Sequence, residues 1–403
     1  MSKNESPSTR FLELVRGQLA VARRDVPSMT RLGVKIASRL LAGGRIWPLP
    51  VAEYWRGEFI GRAGGLMAIH DTKLVPKGEA ETLYFALPKH PGYDPSQDKL
   101  LQEVLTQSQA AMVLNGTAAE AKALGPVGKR LVGYTGGGPV DAGLFPDGSG
   151  QPLVPLWPLE QFVRGWVTTG EMIAACTREG KMPVIWMSIW LEGARVRNAY
   201  FSTADNLREV WGVPMFHDAW YVPPLAEGYA GGAFLDELDR IVGVIESQRM
   251  AIAKAGQWMA QAKAAGKTVH TVMVGHSYPT LLELHKRPDY PVTFGRTDSN
   301  LATAVPRTLG AGDVAIHLGY APVDVADVQR ILDRGVRFIY TSPYGRPAGL
   351  KNHKNLIWLD LPWRPADATV DVPGYSVRIL PMSSSAQTVL YYSLLGEMLG
   401  RMA

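Results

Sequence analysis

Two stretches of this chain nearly repeat each other across about half of its 403 residues: "WVTTGEMIAAC" (166–176) and "YYSLLGEMLGRM" (391–402). They are not alone. "AGGRIWPLP" (42–50) pairs with "AGKTVHTVMVG" (265–275). "AAMVLNGTAAEAKALGPVGKRLVGYTG" (110–136) pairs with "GDVAIHLGYAPVDVADVQRILDRGVRFIYTSP" (312–343). A repeat this long is a duplicated domain, not a solenoid of short units. We therefore expect a first domain over 10–194, a connector over 195–232 and a second domain over 233–403. The connector is rich in aromatic residues, proline and glycine, so it should pack on the domains.

Within each half, short apolar segments alternate with helical ones. This is the pattern of βαβ units, and strands so uniformly apolar belong to a parallel sheet covered on both faces. Ligands of such sheets sit beyond the carboxyl ends of the strands. The loops of interest thus follow "RIWPL", "AMVL", "RLVGY", "HTVMV", "VAIHL" and "RFIYT".

Composition narrows the function classes. The one cysteine, Cys176, excludes a disulfide within the chain and fits a cytoplasmic location. It lies in an apparent helix and reads as a small core residue. No run approaches the roughly 20 apolar residues of a membrane span, and the N-terminus lacks a signal-peptide core. The net charge of +5 is mild and scattered, which gives no footprint for nucleic acid but suits an anionic small molecule. The histidines follow no metal-ligand spacing, so neither metal nor cofactor is expected. "GYTGGGP" (133–139) is glycine-rich but lacks the dinucleotide-binding spacing.

"GEFIGRAGGL" (57–66) raises a sharper question. Glu58 and Arg62 stand four residues apart and share a helical face. Gly64-Gly65 reads as the helix end. A carboxylate here can be a surface partner of Arg62, a ligand contact or a general base. In "GHSYPT" (275–280), directly after a strand, His276 and Ser277 suit an anion, and Thr280 a helix cap. In "SSSAQT" (383–388), Ser384 or Ser385 suits an N-cap, and the same amides suit a phosphate. His317, ending "VAIHL", reads as a core residue in preference to an acid or base.

These loops and their order resemble the sugar isomerase (SIS) family. "VHTVMVGHSYPT" is similar to the Gly-x-Gly-His-Ser loop of one subgroup. The block at 312–343 looks like the family's strand, Ser-Gly loop, helix and "T-S" strand. "EFIGRAGGL" is similar to Glu-x-x-x-Arg-Ala-Gly-Gly-Leu and to the Glu-Leu-x-Gly-Arg stretch of phosphoheptose isomerases, whose glutamate is the catalytic base. The two copies resemble the tandem domains of the isomerase half of glucosamine-6-phosphate synthase. The resemblance implies an α/β protein of two tandem doubly wound, flavodoxin-like domains related by a pseudo-two-fold axis. It implies a phosphosugar ligand and no cofactor. A homo-oligomer, in the simplest case a homodimer, is compatible with it.

By that match Glu58 inherits the role of base in an aldose–ketose isomerisation through an enediol, with Arg62 beside it. Phosphate contacts fall to Thr117, His276, Ser277, Thr280, Ser383, Ser384 and Ser385. The chain also departs from the family. "WPLPVAEYW" lacks the Gly-x-Gly-x-Ser loop, and "LGY" (318–320) has no hydroxyl where the family has serine; "NGT" (115–117) keeps one at Thr117. Two readings follow: a phosphosugar isomerase, or a non-catalytic SIS module that binds or senses a phosphosugar or serves an assembly. They divide on whether Glu58 faces a pocket containing hydroxyls or one filled by Trp47, Tyr54 or Trp55.

Overall fold

The computed structural model describes residues 5–49, 53–69, 78–89, 92–138, 143–201, 216–217, 220–273, 290–295, 305–319, 324–364 and 366–403. His276, Ser277 and Thr280 lie outside the described residues.

The first half opens with a long helix, α1 (Pro7–Leu41), whose N-cap Ser6 accepts the Thr9 amide and whose first residue is proline. Both features satisfy or dispense with amides that a helix start leaves bare. Then come β1 (Ile46–Pro48), α2 (Glu53–Phe59), β2 (Thr82–Phe85), α3 (Lys99–Gln107), β3 (Ala111–Leu114), α4 (Ala118–Ala123) and β4 (Leu131–Tyr134). An antiparallel ribbon of β5 (Gly143–Pro146) and β6 (Pro152–Pro155) leads into α5 (Trp157–Arg178). A short helix, α6 (Ala194–Phe201), belongs to the connecting region. The second half repeats the plan: α7 (Tyr229–Ser247), α8 (Arg249–Ala264), β7 (Val269–Met273), β8 (Thr293–Phe294), β9 (Val314–Leu318), α9 (Val325–Asp333), β10 (Arg337–Ser342) and β11 (Leu356–Asp360). A second antiparallel ribbon, β12 (Ala368–Val370) and β13 (Ile379–Pro381), leads into α10 (Ser383–Met402).

Both sheets are parallel, and their strand orders agree. The second runs β8-β7-β9-β10-β11. Numbered within the half this is 2-1-3-4-5, the flavodoxin-like order. The first runs β1-β2-β3-β4, and a parallel bridge from Ile46 to Ile69 adds a position outside β1. Its order is therefore also 2-1-3-4-5, the second position being marked among the described residues by that bridge. This confirms two tandem doubly wound domains, but it corrects one block pairing. β3, the "AMVL" strand, occupies the fourth position and matches β10; the counterpart of β9 ("VAIHL") is β2 ("TLYF"). Gln161 and Gln387 support this match. The amide of Gln161 reaches the Leu87 carbonyl just past β2 (3.4 Å), and that of Gln387 the Leu318 carbonyl at the end of β9 (3.2 Å).

The core lies where the halves meet. α5 is buried from Trp157 to Thr177 and α10 from Ser383 to Leu399, as helices packed on all sides are. α1 packs against both, and α7 against α5. Gly33 makes the contact close, since a Cβ there would meet the Met172 amide nitrogen at 2.8 Å. The repeated Gly-Glu-Met places a buried acid in each central helix. Glu171 accepts the Gly228 and Gly231 amides (2.7 and 2.9 Å) at the start of α7. Glu397 accepts the Ser8 amide and hydroxyl (3.1 and 2.7 Å) at the start of α1. Each half thus caps the first helix of the other with a carboxylate, where the helix dipole favours negative charge.

Candidate functional site

The "GEFIGRAGGL" stretch ends its helix earlier than its glycine pair suggests. α2 stops at Phe59, and the left-handed residue that follows is Gly61 (φ 67°). Gly64-Gly65 does not cap a helix. It docks this loop onto the rest of the protein: the Gly64 amide reaches the Trp186 carbonyl (2.8 Å), and the Gly64 carbonyl takes the Leu380 amide (2.9 Å). Gly64 has φ 82°, and a Cβ there would lie 2.6 Å from that of Ala368. Only glycine fits so close to the second-half ribbon.

That docking carries Arg62 into the joint between the halves. Its Nη1 donates to Glu58 Oε2 (2.8 Å) and Ser384 Oγ (2.5 Å). Its Nη2 donates to Asp367 Oδ2 (2.9 Å) and Ser383 Oγ (3.1 Å). Glu58 Oε1 accepts the Trp166 indole N–H. Asp367 Oδ1 accepts the amides of Met382 and Ser383 (3.1 and 2.7 Å). Glu58 and Arg62 are both 0% exposed. Trp55 packs on Phe59, which stacks on Trp166, with ring centroids 4.1 and 4.3 Å apart. Burial pushes the Glu58 carboxyl up to about 7, against the pull of Arg62 and the Trp166 hydrogen bond.

Several sequence expectations meet here. Arg62 does pair with Glu58, but in the interior and not on a surface. Trp47, Tyr54 and Trp55 are all buried, and the aromatic side chain that meets Glu58 is that of Trp166. Ser383, Ser384 and Ser385 are inside the first turn of α10, whose N-cap residue is Met382, so neither Ser384 nor Ser385 is the cap. Asp367 satisfies the amides there instead. The Ser385 hydroxyl is buried with no partner among the described residues. His317 lies within β9 against Tyr340, and burial lowers it to about 4, so it is a neutral core residue. Cys176 is a buried thiol.

An open crevice lies elsewhere, at the carboxyl end of the first sheet. It encloses about 540 Å³ and is lined by residues after β2 (Leu87, Pro88, Lys89), around α4 (Thr117, Glu120) and after β4 (Gly137, Gly138), with Tyr93 at its side. Lys89 pairs with Glu120, and the two side chains are 6% and 14% exposed. Glu120 also completes a capping box: its Oε2 accepts the Thr117 amide and hydroxyl (2.8 and 2.9 Å), while its own amide donates to the Thr117 hydroxyl (3.2 Å). Thr117 therefore reaches the crevice with its hydroxyl already committed. Beneath the glycines, Glu160 accepts the Gly138 amide and faces Arg164, 3.6 Å away. Burial raises the Glu160 carboxyl, against the Gly138 amide, Arg164 and Lys89. Arg164 in turn reaches Asp25 (2.7 Å) and the Thr135 carbonyl (2.8 Å).

Sequence reasoning missed Lys89, Glu120, Glu160 and Asp367. For two of them a signal was present. Thr117-Ala-Ala-Glu120 is a capping-box spacing, and Lys89 follows the apolar "TLYFALP" strand, whose carboxyl end belongs among the ligand loops. Among the described residues no group of three metal-ligating side chains gathers, and no helix is long and apolar enough to cross a membrane.

No protein-family model matches the sequence, and no curated protein matches it. Two solved structures are similar over nearly their whole lengths. One is the C-terminal domain of glucosamine-fructose-6-phosphate aminotransferase from Francisella tularensis, at 10% identity and a TM-score of 0.49, covering 100% of this chain and 97% of that one. The other is a provisionally named sugar binding protein from Salmonella typhimurium LT2, at 10% identity and a TM-score of 0.48, covering 97% and 99%. Likeness at this level transfers no residue role and no activity.

Proposed function

We propose that this chain is a small-molecule binding protein of tandem α/β domains that takes a sugar or sugar derivative in its first-half crevice, and that Glu58 is not the base of an isomerisation. The observation that carries this reading is the contrast between the two places. A general base must come within about 3 Å of the carbon acid it deprotonates, directly or through one water. Glu58 is 0% exposed, with one oxygen on Arg62 and the other on Trp166. The crevice, by contrast, is open, lies beyond the carboxyl ends of β2, β3 and β4, and has a volume suited to a small molecule.

Solvent-deuterium exchange tests it. With hexoses, heptoses, amino sugars and their phosphates, the protein should incorporate no deuterium beside the carbonyl. A thermal-shift panel of the same compounds should show stabilisation by at least one, about 2.7 kcal/mol at a ligand concentration 100 times its Kd. Deuterium incorporation that Glu58→Gln abolishes would restore the isomerase and overturn this reading.

A further inference from the structure

We propose that the first-half crevice takes an uncharged sugar ring and discriminates against its phosphate ester. The inference rests on the binding reading above and specifies its ligand. It starts from the donors in the crevice. A phosphate group is held by cationic side chains, hydroxyls and loop amides. All three kinds are present, and each already faces a carboxylate of the protein. Lys89, the only cationic residue lining the crevice among those described, pairs with Glu120. The Thr117 hydroxyl and amide both go to Glu120 Oε2. The Gly138 amide goes to Glu160, and a Cβ on Gly137 would lie 3.1 Å from Glu160 Oε1. Arg164, behind Glu160, is held by Asp25 and the Thr135 carbonyl and offers no free charge to the crevice.

A phosphate dianion entering here would have to break these pairs and would then stand beside Glu120 and Glu160. Like charges at such distances repel strongly where burial lowers the effective dielectric constant. A sugar hydroxyl meets no such penalty. It donates and accepts at once, so it can accept from the ammonium of Lys89 while donating to Glu120. The rest of the lining suits the apolar face of a ring: Leu87, Pro88 and Pro95, with the side of Tyr93.

Calorimetric titration of the full-length protein separates the two ligand classes. The probes are free hexoses and N-acetylhexosamines, each beside its 6-phosphate, at about 50 and about 500 mM salt. At least one free sugar should bind, its 6-phosphate about tenfold or more weaker, and the free sugar's Kd should not move with salt. Lys89→Met should weaken the free sugar about tenfold. Glu120→Gln keeps an oxygen to accept from Thr117 but removes the charge, so it should narrow the discrimination against the phosphate ester. A 6-phosphate that binds more tightly than its parent sugar overturns this inference and leaves the binding reading standing. No binding by any probe overturns both. Unchanged affinity in folded Lys89→Met places the sugar elsewhere and overturns the inference.

Discussion

The N-terminal turns of α5 and α10 hold equivalent places in the two halves, and they do opposite work. At α10 the turn reads Ser383-Ser384-Ser385, and the hydroxyls of Ser383 and Ser384 hold Arg62 while the Ser383 amide donates to Asp367. At α5 the turn reads Trp157-Pro158-Leu159-Glu160, and its acid takes an amide of the glycine loop bordering an open crevice. One architecture thus yields a buried ionic joint and an open crevice. Hydroxyls at a helix start do not by themselves mark a ligand, because a charged side chain of the same protein can occupy the place first.

The largest effect should come from breaking the joint. Arg62→Met leaves Glu58 and Asp367 buried without their cation, which for a buried pair costs about 3–5 kcal/mol. Urea unfolding should show that loss, whereas Lys89→Met should cost less, because the Glu120 it leaves behind keeps its Thr117 hydrogen bonds and some contact with water, its side chain being 14% exposed. Equal losses would dissolve the contrast between joint and crevice.

Next come the crossed caps. Glu171→Gln and Glu397→Gln each weaken hydrogen bonds made by a buried carboxylate, worth about 1.5–3 kcal/mol apiece. Because the two acids hold equivalent positions, the variants should lose similar stability. A loss confined to one of them would show that the halves share a topology but not their energetics.

The pH dependence sharpens the comparison further. The folded Glu58 carboxyl stands near 7, above its ordinary 4.5. The native state therefore keeps a proton that the unfolded chain has lost between those values. The associated stability is fully present below about 4.5, falls as pH rises toward 7, and is flat above. Glu160, also raised, acts in the same sense, and His317, lowered to about 4, in the opposite one. The difference between wild type and Glu58→Gln isolates the joint. The variant should lose the downward slope between about pH 5 and pH 7 in denaturant midpoints, and an unchanged slope would assign it to other groups.

The smallest effect should be at the crevice rim. Thr117→Ala removes one side of the capping box and should cost about 1 kcal/mol, measured by thermal unfolding. A much larger cost would mean that Thr117 supports more than its short helix.

The duplication, the parallel α/β class and the Glu58–Arg62 pair were all legible in the sequence. Apolar strands alternating with helices leave few other folds, and a spacing of four residues brings side chains together even where, as here, the helix has ended at Phe59. The apparent match of β3 to β9 has a cause particular to such folds. Strand, small-residue loop, helix, glycine and strand recur between successive strands of a doubly wound sheet, so the pattern repeats without stating its position. Only pairing across the sheet, with the Ile46–Ile69 bridge, fixes that β3 is fourth.

The site divides along the same line. Local chemistry named Glu58, Arg62 and the serines, because charge spacing and helix-start residues are written in short windows. Whether those groups meet water or one another depends on Asp367, which lies 305 residues from Arg62, and on Trp166, 108 from Glu58. Burial and charge pairing are properties of what packs around a residue, and no short window contains that. The sequence determined which groups were present; the tertiary structure decided that one set closed on itself and that another, at Lys89 and Glu120, paired in the wall of an open crevice.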